Sequence, residues 1–137
     1  MPANLKFLNP DTLSKPPGYT QVVEITGPGR MVYVAGQLGL KPDGTMAGGP
    51  GDFRAQAAQA FDNLAAALAA VGGRMEHVVK INNYLVGIEH LPLFREVRDA
   101  HFTSATKPAS TTVAIPALAR PDALFEIEAV AVLPPRS

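Results

Sequence analysis

Runs of apolar and β-branched residues, with apolar side chains recurring at alternate positions, predict about five β-strands. The predicted strands span residues 20–26, 30–37, 78–86, 110–115 and 124–133. Gly27-Pro28-Gly29 joins the first two strands, and such a short connection favours a hairpin. Residues 1–18, rich in proline and glycine towards their end, are predicted to form an irregular leading segment of the same domain.

Two further segments have the three- and four-residue spacing of amphipathic helices. Asp52 is placed to cap the first helix, and Gly72-Gly73 is placed to end it. Its apolar positions are Phe53, Ala57, Phe61, Leu64, Leu68 and Val71. The second helix is predicted over residues 91–102, and its buried face includes Leu91, Phe94, Val97 or Arg98, and His101. A strand–helix–strand unit of this length predicts a right-handed crossover between parallel strands.

Two helices cover only one face of a five-stranded sheet, yet both faces carry apolar side chains. In the last strand Phe125, Ile127, Ala129, Ala131 and Leu133 alternate with Glu126, Glu128, Val130 and Val132. The strand at residues 30–37 is likewise apolar on both sides, with Met31 and Tyr33 opposite Val32 and Val34. We therefore expect the second face to be buried against another copy of the chain. The alternative is that loops and the leading segment cover it.

Composition narrows the class of protein without changing this α/β (α+β) outline. The 137 residues match one ordinary domain, and 47% hydrophobic residues favour a packed core. Twelve basic residues balance twelve acidic ones, so no charged surface for nucleic acid is expected. The chain has no cysteine and no apolar stretch of the roughly 20 residues that span a bilayer. Its first residues lack the apolar core of a signal peptide, so we expect a cytoplasmic protein without a membrane partner.

Several common kinds of site have no support in the sequence. The three histidines, His77, His90 and His101, lack the spacing that places two metal ligands on one helical face. The glycine-rich segments at residues 27–29 and 44–51 lack the lysine of a phosphate-binding loop. No Gly-x-Ser-x-Gly elbow marks a hydrolase nucleophile. We expect no metal and no cofactor.

Residues 107–132 carry the strongest candidate chemistry. Ser110-Thr111-Thr112 lie in one predicted strand, and Glu126 and Glu128 lie in the next. Glutamates on a face that meets another subunit need hydrogen-bonding partners or a water-filled cleft. A cleft is the functional interpretation, and a solvated strand end is the structural alternative.

Six short motifs, in their order and spacing, resemble the Rid family of reactive-intermediate deaminases, also called YjgF-like proteins. They are Pro17-Gly18-Tyr19-Thr20-Gln21, Val34-Ala35-Gly36-Gln37, Gln56-Ala57-x-Gln59-Ala60-Phe61-Asp62-Asn63-Leu64, Val78-Val79-Lys80, Pro108-Ala109-Ser110-Thr111 and Glu126-Ile127-Glu128-Ala129. The resemblance implies a chorismate-mutase-like fold and a homotrimer. It also implies that small carboxylic ligands bind in clefts between subunits.

The activity that the resemblance implies is hydrolysis of an imine or enamine metabolite to a keto acid and ammonia. Glu126 matches the glutamate that positions the attacking water, and Tyr19 matches a tyrosine that lines the cleft. Gly36 and Gln37 match a segment whose backbone contacts the ligand. Thr112 replaces a frequent cysteine, and Arg95 stands where an asparagine near the ligand is common.

One position departs from the family pattern. Active members carry an arginine directly after the Pro-Ala pair, and this chain has Ser110 there. Losing such a clamp for a carboxylate costs on the order of 2 to 4 kcal/mol of binding, so activity on 2-iminopropionate is doubtful. Arg95 and Arg120 are the candidates for a substitute cation, the alternative for each being a surface role.

Three functions therefore stay open. The first is a specialised hydrolytic deaminase, and the second is a trimer that binds or senses a small metabolite without catalysis. The third is an interaction protein of the ribonuclease or chaperone-like kind. The balanced charge argues against a ribonuclease, because a phosphate backbone calls for a basic groove.

Overall fold

Six β-strands and two α-helices build the fold of residues 4–136, the part of the chain that the computed structural model describes. The strands are β1 (Asn4–Leu8), β2 (Val22–Thr26), β3 (Arg30–Leu38), β4 (Val78–Leu85), β5 (Ala109–Ala114) and β6 (Phe125–Leu133). The helices are α1 (Phe53–Ala69) and α2 (Leu91–His101), each preceded or followed by short turns. The predicted mixed α+β fold with two helices is confirmed.

The main sheet has four strands in the order β3-β6-β4-β5. Strand β6 runs antiparallel to both β3 and β4, whereas β4 and β5 are parallel. Strands β3 and β4 therefore point the same way, with β6 between them. Helix α1 connects β3 to β4, so the predicted crossover between parallel strands is confirmed.

Strand β2 does not form the predicted hairpin with β3. It pairs with β1 in a separate antiparallel sheet, from Asn4 opposite Thr26 to Leu8 opposite Val22. Alternation identifies β2 as a strand but does not say which strand it pairs with, and the five residues of β1 supply the partner instead of β3. The leading segment is thus not irregular throughout, because residues 4–8 supply the partner of β2.

One face of the main sheet is buried under the two helices. Phe61 of α1, Phe94 of α2 and Phe125 of β6 meet with ring centroids 5.6 to 6.4 Å apart. The Asp52 side chain accepts a hydrogen bond from the Ala55 amide at 3.0 Å, which is the expected cap. The apolar pattern of α1 and of alternate β6 positions therefore marks the core as predicted.

Two amide side chains of α1 hold the neighbouring strands in place. The Gln56 amide donates to the carbonyl of Asp122 at 3.1 Å and accepts from the Leu124 amide at 2.8 Å. Asn63 donates to the carbonyls of Leu38 and Leu40 at 3.0 and 2.8 Å. These contacts fix the start of β6 and the end of β3, on either side of Glu126.

The opposite face of the sheet, which we call the open face, is apolar and uncovered in the protomer. Tyr33 is 76% exposed, Met31 54% and Val113 40%. Neither loops nor β1 cover these three side chains, so the alternative to a subunit interface fails at these positions. The homotrimer itself stays a prediction.

Candidate active site

The hydroxyl run on β5 is divided between the two faces of the sheet. Ser110 pairs with Ile81 and Thr112 with Asn83, and both of these β4 residues are buried on the helix side. Paired residues in a sheet share a face, so Ser110 and Thr112 also face the helices. Thr111 faces the other way, where the Lys80 ammonium donates to its hydroxyl at 2.8 Å.

Ser110 and Thr112 line a cavity of about 230 Å³ beside helix α2, which we call the α2 pocket. Its full lining is Pro17, Tyr19, Ile88, Leu91, Phe94, Arg95, Arg98, Ser110 and Thr112. Four residues predicted for the site, namely Tyr19, Arg95, Ser110 and Thr112, are therefore brought together.

The segment that carries Tyr19 is fastened to the start of β5. The Thr20 amide donates to the carbonyl of Pro108 at 3.0 Å, and the Thr20 hydroxyl donates to the carbonyl of Lys107 at 2.5 Å. Thr20 is itself buried. This strap, which lies between β1 and β2 in sequence, places Tyr19 next to the hydroxyls of β5.

Arg98 is the one charged residue of the pocket that the sequence did not single out as a site residue. It is only 6% exposed, and its guanidinium lies 5.7 Å from the centre of the Phe94 ring. Its Nε donates to Asp99 at 3.0 Å and its Nη2 to the carbonyl of Pro17 at 3.3 Å. The available signal was its spacing of three residues from Arg95, which places both on one side of a helix.

Arg120, the other candidate for a substitute cation, donates its hydrogen bonds to loops of the protein itself. Its Nε and Nη2 both donate to the Asp122 carboxylate at 3.1 Å, and its Nη1 donates to the carbonyl of Gly44 at 3.0 Å. The structure does not bring it to the α2 pocket.

Glu126 lies on the open face, beside a bulge in β3. Its backbone pairs with Tyr84 of β4 and Leu38 of β3, and the pairing of β3 shifts between Val34 and Gln37. A Cβ atom on Gly36 would lie 2.5 Å from Glu126 Oε2, so glycine leaves the space that the carboxylate occupies. Burial raises the pKa of Glu126, and the nearby charge of Glu128 raises it further.

The two glutamates of β6 have different surroundings. Glu128 accepts hydrogen bonds from the Tyr84 hydroxyl at 2.5 Å and from the Asn82 amide at 3.3 Å. The hydrogen bond to Glu128 is the main cause that raises the pKa of Tyr84. Within residues 4–136 no donor reaches the Glu126 carboxylate, so it is free to contact water or a ligand.

The predicted site residues thus form two half-sites on opposite sides of the sheet. The α2 pocket is one, and Gly36, Gln37 and Glu126 form the other, which we call the Glu126 half-site. The side-chain amide of Gln37 donates a hydrogen bond to the carbonyl of Ala35, in the same strand, at 3.0 Å. The structure does not bring Glu126 and Ser110 together within one protomer.

The described residues offer neither a metal site nor a membrane-spanning helix. Across positions 4–136 no three histidine, aspartate or glutamate side chains are grouped so that they could hold a metal ion. In that range, too, neither helix has the length and apolar character needed to cross a bilayer.

Comparison with known sequences gives one family. A profile described as endoribonuclease L-PSP matches residues 12–133. Protein DfrA of Myxococcus xanthus is 38% identical over 128 residues, which are 93% of this chain and 95% of that protein. The 2-iminobutanoate/2-iminopropanoate deaminase of Dermatophagoides farinae is 34% identical over 116 residues, 84% of this chain and 85% of that protein.

Comparison with solved structures agrees. The conserved Rid-family protein YyfB from Yersinia pestis has a TM-score of 0.86 at 32% identity, over 95% of this chain and 99% of its own. RidA from a Psychrobacter species has a TM-score of 0.70 at 32% identity, over 93% of this chain and 99% of its own. The chain therefore belongs to the endoribonuclease L-PSP family, the YjgF-like or Rid family that its motifs resemble.

Proposed function

We propose that this protein is a hydrolytic deaminase of a small imine or enamine and that its active sites form between the subunits of a homotrimer. The observation that carries the proposal is the Glu126 carboxylate, which is half-buried and accepts no hydrogen bond from the described part of the chain. Relatives named 2-iminobutanoate/2-iminopropanoate deaminase support the choice of reaction.

The trimer is needed because neither half-site is sufficient for the reaction. The α2 pocket has cations and hydroxyls but no carboxylate, and the Glu126 half-site lies across the sheet. Glu126 shares the open face with the exposed Tyr33 and Met31. A neighbouring subunit that covers this apolar surface brings its own α2 pocket to Glu126.

The reaction consumes one water and releases one ammonia. The imine reacts in its protonated form. The Glu126 carboxylate takes a proton from water while the water oxygen bonds to the iminium carbon, and the carbon–nitrogen π electrons move to nitrogen and cancel its charge. The resulting carbinolamine loses its amine when Glu126 returns the proton to nitrogen. The carbon–nitrogen bond then breaks, the hydroxyl proton is lost to solvent, and a keto acid and ammonia leave. An enamine enters the same sequence after protonation at carbon.

The surroundings of Glu126 suit a general base. A carboxylate whose pKa is raised by burial holds a proton more strongly, so it removes one from water more readily than an exposed glutamate does. Glu128 already accepts hydrogen bonds from Tyr84 and Asn82, so Glu126 is the carboxylate that contacts the substrate.

Pyruvate release from enzymatically generated 2-iminopropanoate tests the reaction. Ser110 made this substrate doubtful, but Arg95 and Arg98 place cations in the same pocket, so we expect wild type to accelerate release. Glu126→Gln is expected to lose roughly 100-fold or more of that acceleration, the usual contribution of a general base. Glu24→Gln, on the exposed side of β2, is the matched control and keeps wild-type activity. A wild-type protein inactive on this and on a panel of other imines, yet stabilised by keto acids, would instead identify a metabolite-binding trimer.

Mixed trimers test the division of the site between subunits. Glu126→Gln disables one half-site, and Ser110→Leu fills the other. Each variant alone is expected to be inactive, whereas trimers reassembled from an equal mixture regain about a quarter of wild-type activity, because about a quarter of clefts join two intact half-sites. A mixture as inactive as its parents would place both half-sites in one subunit.

A further inference from the structure

The charged side chains of the α2 pocket all have one sign. Its lining includes Arg95 and Arg98, and no aspartate or glutamate. Asp99 bonds to Arg98, but the Asp99 side chain is 62% exposed and lies outside the lining. An exposed carboxylate is screened by water and neutralises a neighbouring cation only weakly. The cavity therefore keeps a net positive charge.

Arg98 has the properties of a pre-positioned anion ligand. Its guanidinium is held by the carbonyl of Pro17 and by the ring of Phe94, so little side-chain freedom is lost when a ligand binds. Its Nη1 makes no hydrogen bond within residues 4–136. Arg95 is exposed at the rim of the same pocket. Asp99 accepts only from Nε and Pro17 only from Nη2, so Nη1 is left to donate to an anion in the pocket.

The hydroxyls of the pocket are oriented as donors by a buried amide. Asn83 Nδ2 donates to Ser110 Oγ and to Thr112 Oγ1, both at 3.1 Å, and to the carbonyl of Thr111 at 3.2 Å. The carbonyl fixes this orientation, because the flipped amide would set oxygen against oxygen. The two protons of Nδ2 are shared among these three oxygens. Because an amide nitrogen accepts no hydrogen bond, each hydroxyl proton points away from Asn83 and can point into the pocket. Asn83 Oδ1, fully buried, makes no hydrogen bond, so the amide is held by its donor side alone.

We infer that the α2 pocket is an anion site in which Arg98 from the helix, assisted by Arg95, holds the substrate carboxylate that Ser110 on the strand cannot clamp. The substrate is then an acid that enters with its carboxylate towards α2, and Ser110 and Thr112 complete the shell of donors. This inference rests on the proposed function, because it identifies the occupant of the pocket with the substrate of that reaction.

Pyruvate binding, measured by calorimetry without turnover, tests the anion site. We expect wild type to bind pyruvate but not its neutral analogue pyruvamide, and Arg98→Met to weaken pyruvate binding roughly 10- to 100-fold, the usual loss for a charged hydrogen-bond donor. Arg54→Met removes an exposed arginine from α1 and is expected to bind like wild type. In the double variant Arg98→Met/Ser110→Arg, a cation restored on β5 recovers binding. Equal binding by wild type and a folded Arg98→Met variant overturns the inference.

A second pair of variants keeps the test decisive if Arg98→Met does not fold. Ser110→Asp places a negative charge beside the arginines, whereas Ser110→Asn is a neutral variant of almost the same size. Ser110 is only half-buried, so both are expected to fold. We expect Ser110→Asp to abolish pyruvate binding and Ser110→Asn to retain most of it, and equal binding would overturn the inference.

Binding and turnover can fail separately. Pyruvate held through Arg98, without acceleration of imine hydrolysis, refutes the proposed function and leaves the anion site. Hydrolysis with an unchanged KM in Arg98→Met refutes the anion site and leaves the proposed function.

Discussion

Two glutamates that are adjacent on one face of β6 illustrate how surroundings divide similar residues into different roles. Glu128 is fixed by Tyr84 and Asn82, while Glu126 faces the space beside Gly36. The negative charge of Glu128 still raises the pKa of Glu126, because a like charge nearby disfavours its ionised form. The pKa of the proposed base is therefore set partly by a neighbour that does not touch the substrate.

Replacing Glu128 by glutamine is expected to shift the pH dependence of the reaction. The change removes one of the two causes that raise the pKa of Glu126, and burial, the larger cause, remains. Glu126 acts as a base only when it is deprotonated, so kcat/KM falls as the pH drops through its pKa. The acid limb of the pH–kcat/KM profile should therefore move to lower pH. Glu24→Gln is the control, and an acid limb that stays in place in Glu128→Gln would contradict this account.

Family resemblance predicted Tyr19, Arg95, Ser110 and Thr112, and the structure gathers these four around one pocket. Arg98 was missed as a site residue because its three-residue spacing from Arg95 shows a shared side of the helix but not what that side faces. The guanidinium of Arg98 is buried against the carbonyl of Pro17, which lies 81 positions away in the chain. Contacts between such distant segments are set by the fold and not by periodicity.

At the scale of elements, α1 both covers the sheet and sets the positions of the strands that carry the Glu126 half-site. Gln56 satisfies a carbonyl and an amide of the loop that leads into β6. Asn63 does the same for two carbonyls where β3 ends. Each of these two side chains therefore bonds two backbone groups next to a strand end, which satisfies those groups and ties the strand to the helix.

Gln56→Met is expected to destabilise the fold although methionine fits the available volume. The change removes both hydrogen bonds of a side chain that is only 1% exposed, those with the Asp122 carbonyl and the Leu124 amide, at about 2 to 4 kcal/mol in the free energy of unfolding. Gln59→Met, which loses a single bond to Asn63, is expected to cost under about 1 kcal/mol. Urea unfolding of both variants measures the difference. Equal destabilisation of the two variants would show that the two hydrogen bonds of Gln56 add no more stability than the single bond of Gln59.

The helices and core strands were predictable because their periodic patterns are long. Helix α1 and strand β6 each place an apolar residue at nearly every position that the fold buries. The partner of β2 was not predictable in the same way. Alternation shows that a segment is a strand but not which strand it pairs with, and β1 is only five residues long.

For the whole molecule, the open face links assembly to chemistry. Tyr33 and Met31 would be costly to leave in water, and they lie on the same side of the sheet as Glu126. The expectation of an oligomer came from counting two helices against two apolar faces, an argument that needs no knowledge of the family. The number of subunits came only from the resemblance.

Tyr33→Arg is expected to dissociate the assembly without unfolding the protomer. The residue is 76% exposed in the protomer, so the arginine meets only solvent there, whereas in an interface it would bury an unpaired charge. Sedimentation should show wild type at three times the 14.4 kDa protomer mass and the variant at that mass, without deaminase activity. Leu13→Arg, a comparable exposed apolar position outside the main sheet, is expected to leave the trimer intact. A monomeric wild type would remove the basis of the shared cleft.

The clamps of α1 also bear on how members of this family should be sorted. Gln56 and Asn63 belong to the helix motif that makes the chain recognisable, and their contacts are with the protein's own backbone. The motif therefore indicates that a chain has this arrangement of loops, but it does not indicate which ligand the chain binds. The residues at positions 95, 98, 110 and 112 line the pocket, and in the proposed site they select the charge of the ligand. Grouping relatives by those four positions should separate substrates that overall identity mixes together.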